Sequence, residues 1–167
     1  MRSYVRQMKN HTLPKQYVNL IGRGSLLEDT FTRAENLIRA ERIYTVVSRA
    51  HLKHSEVRRQ LARRTSDTII VQPASKKTGP GVLLPLMYVY KQCAEAIVAI
   101  FPSDHFILEE DRFMRDVQRA AEVAAHNPGR IVLLAVEPRQ AETEYGYIVP
   151  LNDVESVCRL AILPMVL

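Results

Sequence analysis

The chain has 167 residues, of which 47% are hydrophobic and 25% charged, the composition of one globular domain or a large piece of one and not of a disordered chain. Two cysteines, Cys93 and Cys158, exclude a disulfide scaffold, and no apolar run reaches membrane-spanning length. The formal net charge of +5 favours anionic partners without saying which.

The segment Met1-Arg2-Ser3-Tyr4-Val5-Arg6 has no apolar core of a signal peptide, so a cytoplasmic protein with no membrane partner is expected. Residues 1–13 are basic and without periodicity and read as a loop. Pro14 holds its predecessor extended, so the stretch from Leu13 to Leu20 reads as a short extended piece. Ser25 and Glu28 form an S-x-x-E capping box at a helix start. Leu26, Leu27, Thr30, Phe31, Ala34, Leu37 and Ile38 then share one helical face. Ile43 to Val47 is a strand by its β-branched content. A second helix carries Val57 and Leu61 and ends near Arg63. His51 and His54 open it at H-x-x-H spacing, but no third ligand stands near them, so solvated or packed histidines are expected over zinc. The basic cluster Arg58, Arg59, Arg63 and Arg64 lies at helical spacing and reads as a solvated face, with no nucleic-acid partner.

Thr68 to Val71 is the next strand, and it runs into a Gly- and Pro-rich loop from Gln72 to Gly81. Glycines and two lysines, Lys76 and Lys77, ahead of a helix start suit an anion there, although an ordinary loop kept soluble by lysines has the same composition. That helix carries Val82, Leu83, Leu86, Met87 and Tyr90, and Pro85 places its start near Val82. Ile97-Val98-Ala99-Ile100-Phe101 reads as a strand buried on both faces, stopped by Pro102. Asp104 falls just past its carboxyl end, where open α/β sheets bind ligands and where a carboxylate can hold a divalent cation; a turn aspartate is the plainer reading. An amphipathic helix with Phe113, Val117, Ala120, Ala121 and Ala124 ends at Asn127-Pro128-Gly129. Ile131 to Val136 is a fourth buried strand, and Glu142 to Pro150 a loop entering a short one. Strands alternating with helices define an α/β fold with a mostly parallel sheet covered on both faces.

Three segments carry a resemblance. The first is Leu13-Pro14-Lys15-Gln16-Tyr17 with Ser25-Leu26-Leu27 downstream. The second is Gln72-Pro73 through Thr78-Gly79-Pro80-Gly81, followed by Phe101-Pro102-Ser103-Asp104-His105. The third is Glu137-Pro138 leading to Glu142-Thr143-Glu144-Tyr145-Gly146-Tyr147-Ile148. In this order they resemble the sugar-1-phosphate nucleotidyltransferases, most closely the mannose-1-phosphate guanylyltransferases (GDP-mannose pyrophosphorylases).

The resemblance implies a Rossmann-like fold and transfer of GMP from GTP to mannose 1-phosphate, giving GDP-mannose and pyrophosphate. It implies Lys15 and Asp104 as catalytic residues, Lys15 neutralising phosphate charge and Asp104 holding Mg2+. It implies Gln72, Lys76, Thr78 and Gly79 at the nucleotide, and Glu144, Tyr145 and Gly146 at the sugar. The chain departs from the family in having no G-G-x-G-T-R-L loop, the main cradle for a triphosphate, and no strand ahead of it. The expectation is therefore a single partial domain over 1–167, with a family-like core at 14–150, an unmatched tail at 151–167 and the first strand missing. Impaired transfer, or a non-catalytic nucleotide- or sugar-phosphate-binding module, goes with that expectation. Nothing in the sequence decides between a monomer and a homo-oligomer.

Overall fold

The computed structural model describes residues 13–19, 22, 24–74, 78–136 and 146–148. The chain divides into two compact units, Met1–Glu110 and Asp111–Leu167.

The first unit is built on a β-α-β segment. Strands β1 (Thr45–Ser48) and β2 (Ile69–Gln72) pair in parallel, with Thr45 opposite Ile69 and Ser48 opposite Gln72. The bond from Arg49 N–H to the Gln72 carbonyl (2.9 Å) carries the ladder one residue further. Two helices supply apolar faces to the core. In α1 (Leu26–Glu35) these are Leu27 and Phe31, and in α2 (Ser55–Leu61) they are Val57 and Leu61. Both pairs are four residues apart, which stacks them on one side of a helix. Val47 of β1 and Tyr17 complete the cluster, and Leu13, Ile43, Leu52 and Ile69 pack around it. Each large apolar side chain buried in this way contributes about 1.5–3 kcal/mol.

The expected capping box starts α1: Ser25 Oγ accepts from Glu28 N–H (3.2 Å), and Glu28 Oε2 accepts from Ser25 N–H (2.9 Å). Ser25 is wholly buried, and its hydroxyl also donates to Gln60 Oε1 of α2 at 2.7 Å. Gln60 Nε2 in turn donates to the Tyr17 carbonyl (2.9 Å) and to Glu56 Oε1 (2.7 Å). One side chain thus ties the start of α1, α2 and the Tyr17 backbone together, with every polar atom satisfied. Ahead of α1, an antiparallel bridge joins Asn19 to Ser25, and Gly22 turns the chain between them at φ +86°, a conformation that strains any residue with a Cβ.

Four expectations are corrected. Residues 15–17 form a 3-10 turn in place of an extended piece, closed by Tyr17 N–H on the Pro14 carbonyl (3.1 Å). Pro14 at the turn's N-cap explains this: it is itself extended, and it fixes the chain's entry into the turn without itself needing a helical bond. Helix α3 runs Thr78–Gln92, so Pro85 lies inside it and not in its first turn. Pro80 in the first turn costs nothing, because N–H groups there have no intrahelical partner, and that lets the helix begin before Val82. The α3 residues are not buried, and Leu83, Met87 and Tyr90 stand on its exposed side.

The third and fourth corrections concern strands. Ile97–Phe101 forms no ladder among the described residues, and Ile97 and Ile100 are 52% and 55% exposed where burial on both faces is expected. Ile131–Val136, in the second unit, carries only an isolated bridge at Ala135, with Ile131 88% exposed. Apolar β-branched residues favour an extended backbone, but a strand also needs a neighbour to accept and donate its hydrogen bonds, and burial needs a covering layer.

Helix α4 (Glu110–His126), in the second unit apart from its first residue, buries Met114 and Val117, three residues apart, and sets charged residues elsewhere. It ends at Asn127-Pro128-Gly129, as the sequence suggests, with Gly129 at φ +86°. The expected loop and short strand at 142–150 lie outside the described residues, apart from residues 146–148, which have no regular structure. The expected loop at 1–13 (Leu13 apart) and the tail at 151–167 also lie outside them.

Candidate active site

Lys15 opens the 3-10 turn, and Tyr17 holds that turn in the core. The Tyr17 ring is 3% exposed and meets the His51 ring edge-on at 5.5 Å, with its hydroxyl 3.2 Å from His51 Nδ1. Burial pushes the Tyr17 phenol up to about 12, against a smaller opposing effect of a hydrogen bond from Gln16. The phenol is therefore a neutral anchor at every physiological pH.

From this base Lys15 reaches Asp104, which sits in a turn after Pro102. Lys15 Nζ lies 2.6 Å from Asp104 Oδ2, and the two side chains are 34% and 15% exposed. Asp104 Oδ1 lies 3.7 Å from Nε2 of His105. Burial is the main influence on His105 and lowers its pKa; Asp104 opposes this, and the Lys15 and Arg33 cations add to it. His105 is therefore neutral near pH 7 and stands beside the carboxylate without neutralising it. Lys15 is the counter-charge.

Arg33 is a member of this group that sequence reasoning missed. It is 2% exposed, and its Nη2 and Nε lie 3.1 and 3.2 Å from Glu110 Oε1. Leu26, Thr30 and Arg33 follow one another at helical spacing and are all buried, so a charged residue on an otherwise inward face was the available signal. Binding a buried guanidinium to a carboxylate fixes both, and here it holds a cation near the Asp104–His105 turn.

The second group of expected residues lies at the end of β2 and the start of α3. A Cβ at Gly81 would stand 3.6 Å from Gln72 Nε2, so the Gln72 amide lies against the first turn of α3. Thr78 is the first residue of α3, and its Oγ1 is buried with no hydrogen-bond partner. Gly79 is exposed with open space around it. Lys76, Glu144 and Tyr145 lie outside the described residues, and Gly146 is exposed with nothing near its Cβ position. The structure thus brings Lys15 to Asp104 and Gln72 to the start of α3; of the sugar-side residues only Gly146 is described.

Chemically, the first group is a little-exposed carboxylate with the Lys15 ammonium on one oxygen and a neutral imidazole by the other. Among the described residues no three His, Cys, Asp or Glu side chains gather to enclose a metal, and His51 and His54 gain no third partner. One carboxylate nevertheless suits magnesium, which keeps several waters and takes its remaining ligands from substrate phosphates.

The parallel strand pair and the Lys15–Asp104 pair can be set beside known proteins. The model of the nucleotidyl transferase family matches residues 10–161, and the chain belongs to that family. Among characterised proteins, a mannose-1-phosphate guanylyltransferase of Salmonella montevideo is 31% identical over 151 residues, which is 89% of this chain and 31% of that protein. A mannose-1-phosphate guanylyltransferase of Escherichia coli is 30% identical over 84% of this chain and 29% of its own length. The xanthan biosynthesis protein XanB of Xanthomonas campestris is 28% identical over 84% of this chain and 30% of its own length. The chain thus spans about a third of the length of the relatives it matches. No solved structure matches it. No helix among the described residues is long and apolar enough to cross a membrane.

The two histidines make stability depend on pH. Burial lowers the pKa of His51, with help from His54, and burial lowers that of His105. Each is thus harder to protonate folded than unfolded. Below about pH 6.5 the unfolded chain takes up protons that the folded chain refuses, so stability is full above that value and falls as pH drops toward the folded values. Urea midpoints are expected to fall between about pH 7.5 and about pH 5.5, and to fall less in the double variant H51Q/H105Q. Parallel midpoints in both proteins would assign the acid loss to other groups.

Proposed function

We propose that this domain transfers GMP from GTP to mannose 1-phosphate, releasing pyrophosphate and forming GDP-mannose. The observation that carries the reading is the 2.6 Å approach of Lys15 to Asp104, two residues far apart in sequence. The similarity to mannose-1-phosphate guanylyltransferases supports the choice of base and sugar.

In this reading an oxygen of the sugar phosphate attacks the α-phosphorus of GTP in line, and the bond to pyrophosphate breaks. Little covalent work falls to the protein, whose task is to position two anions and offset their charge. Lys15 lies against phosphate oxygens, and its ammonium acts as a compact point charge. Asp104 would hold magnesium, which would supply charge withdrawal from the phosphates. Gln72, Lys76, Thr78 and Gly79 border the nucleotide, and the unpartnered Thr78 Oγ1 is a donor or acceptor still to be satisfied. Glu144, Tyr145 and Gly146 take the sugar hydroxyls. A cytoplasmic setting, where nucleoside triphosphates are at hand, goes with this chemistry.

The test is GDP-mannose formation from GTP and mannose 1-phosphate with magnesium, run on the 167-residue chain and on the same chain joined to a G-G-x-G-T-R-L strand and loop. Transfer by the joined chain, with little or none by the shorter one, is expected. If the joined chain used another nucleotide or sugar phosphate better, the substrate assignment would be wrong. GTP binding by calorimetry with no transfer from either chain would instead favour a non-catalytic binding module.

A further inference from the structure

We propose that Lys15 is a tethered stand-in cation: it occupies Asp104 until a divalent metal displaces it, and the displaced ammonium then turns to the substrate's phosphate. This rests on the reading of Asp104 as the metal-holding carboxylate. Metal and phosphate binding would then be coupled through one side chain.

The argument begins with charge. Asp104 is a carboxylate at 15% side-chain exposure, where an uncompensated charge is costly. Of its neighbours, Arg33 has Glu110 on it at 3.1 Å, and His105 Nε2 lies 3.7 Å from the other carboxylate oxygen. Lys15, at 2.6 Å, is left as the balancing cation. A divalent ion approaching Oδ2 meets that ammonium within a few ångströms, and the two like charges repel.

Next comes freedom to move. The Lys15 backbone is fixed, because its turn is closed by Val18 N–H on the Lys15 carbonyl (3.1 Å) and anchored by buried Tyr17. Its side chain is not fixed: it is one-third exposed on a flexible four-carbon stem. The ammonium can therefore leave Asp104 without any change of fold. Were a metal to neutralise the carboxylate, the freed ammonium would be attracted to the nearest anion, such as a phosphate drawn to the same metal. By linkage, phosphate must then strengthen metal binding as much as metal strengthens phosphate binding.

Two measurements on the full chain test this. The first is Mn2+ affinity, read from the free-ion paramagnetic resonance signal, in the wild type, K15Q, K15R and D104N. Removing the competing charge in K15Q should tighten Mn2+ binding on the order of tenfold, K15R should bind no tighter than the wild type, and D104N should lose binding. The second needs no variant: acetic anhydride labelling of Lys15, followed by peptide mass spectrometry, should speed up severalfold when Mg2+ is added. Equal or weaker Mn2+ binding by K15Q, or labelling of Lys15 indifferent to a saturating metal, would overturn the exchange while leaving Asp104 as the metal's holder. Unchanged Mn2+ binding in D104N would instead overturn the underlying metal assignment, and the exchange with it.

Discussion

Asp104→Asn is expected to lower magnesium-dependent GDP-mannose formation by on the order of a thousandfold, measured in the chain joined to a G-G-x-G-T-R-L strand and loop. The substitution keeps the shape of the side chain and removes its charge. It thereby takes away both the holder of the metal and the counter-charge of Lys15. The fold should hardly notice, since a partly exposed ion pair is worth about 1 kcal/mol or less. Urea midpoints of the variant and the parent should therefore stay close while the rates part. Turnover surviving in the variant would place the metal elsewhere, and a collapsed midpoint would make Asp104 structural.

The second large effect concerns stability. Tyr17→Ala should cost about 3–5 kcal/mol in urea unfolding, because it empties the centre of the six-residue cluster that joins α1, α2 and β1. Tyr17→Phe should cost only about 1 kcal/mol, the worth of the hydroxyl's bond to His51. The difference between the two separates packing from hydrogen bonding. Because Lys15 is two residues from Tyr17 in the same short turn, the alanine variant should also loosen the Lys15–Asp104 pair. Faster labelling of Lys15 in that variant, without added metal and under conditions where it remains folded, would show that the core positions the ammonium. An alanine variant as stable as the phenylalanine one would mean that the cluster readily collapses around the gap.

How much of this was legible beforehand depended on how local the signal was. The capping box at Ser25 and Glu28 and the apolar faces of α1 and α2 follow from spacing alone, and the structure has them where expected except Leu37 and Ile38, which lie beyond the end of α1, with Leu37 exposed. β1 and β2 were legible from β-branched content to within two residues, because each finds the other as its neighbour. Ile97–Phe101 has the same composition and none of the burial, since composition does not say whether a neighbouring strand is at hand. The Lys15–Asp104 juxtaposition was expected only in so far as both belong to motifs shared with a family; no periodicity links positions that distant. Arg33 was passed over because arginine in a helix is ordinarily solvated, and its contact with Glu110 helps make burial tolerable.

By itself, the sequence determined the class of protein and the local elements: an α/β nucleotidyl transferase chain with its helix start, its parallel strand pair and its ordered motifs. These depend on residues a few positions apart, where spacing and side-chain type are sufficient. Only the tertiary structure decided which charges meet, putting Lys15 on Asp104, Arg33 on Glu110 and His105 beside Asp104. Ionic partners and burial are set by distance through space, and that distance does not exist until the chain has folded.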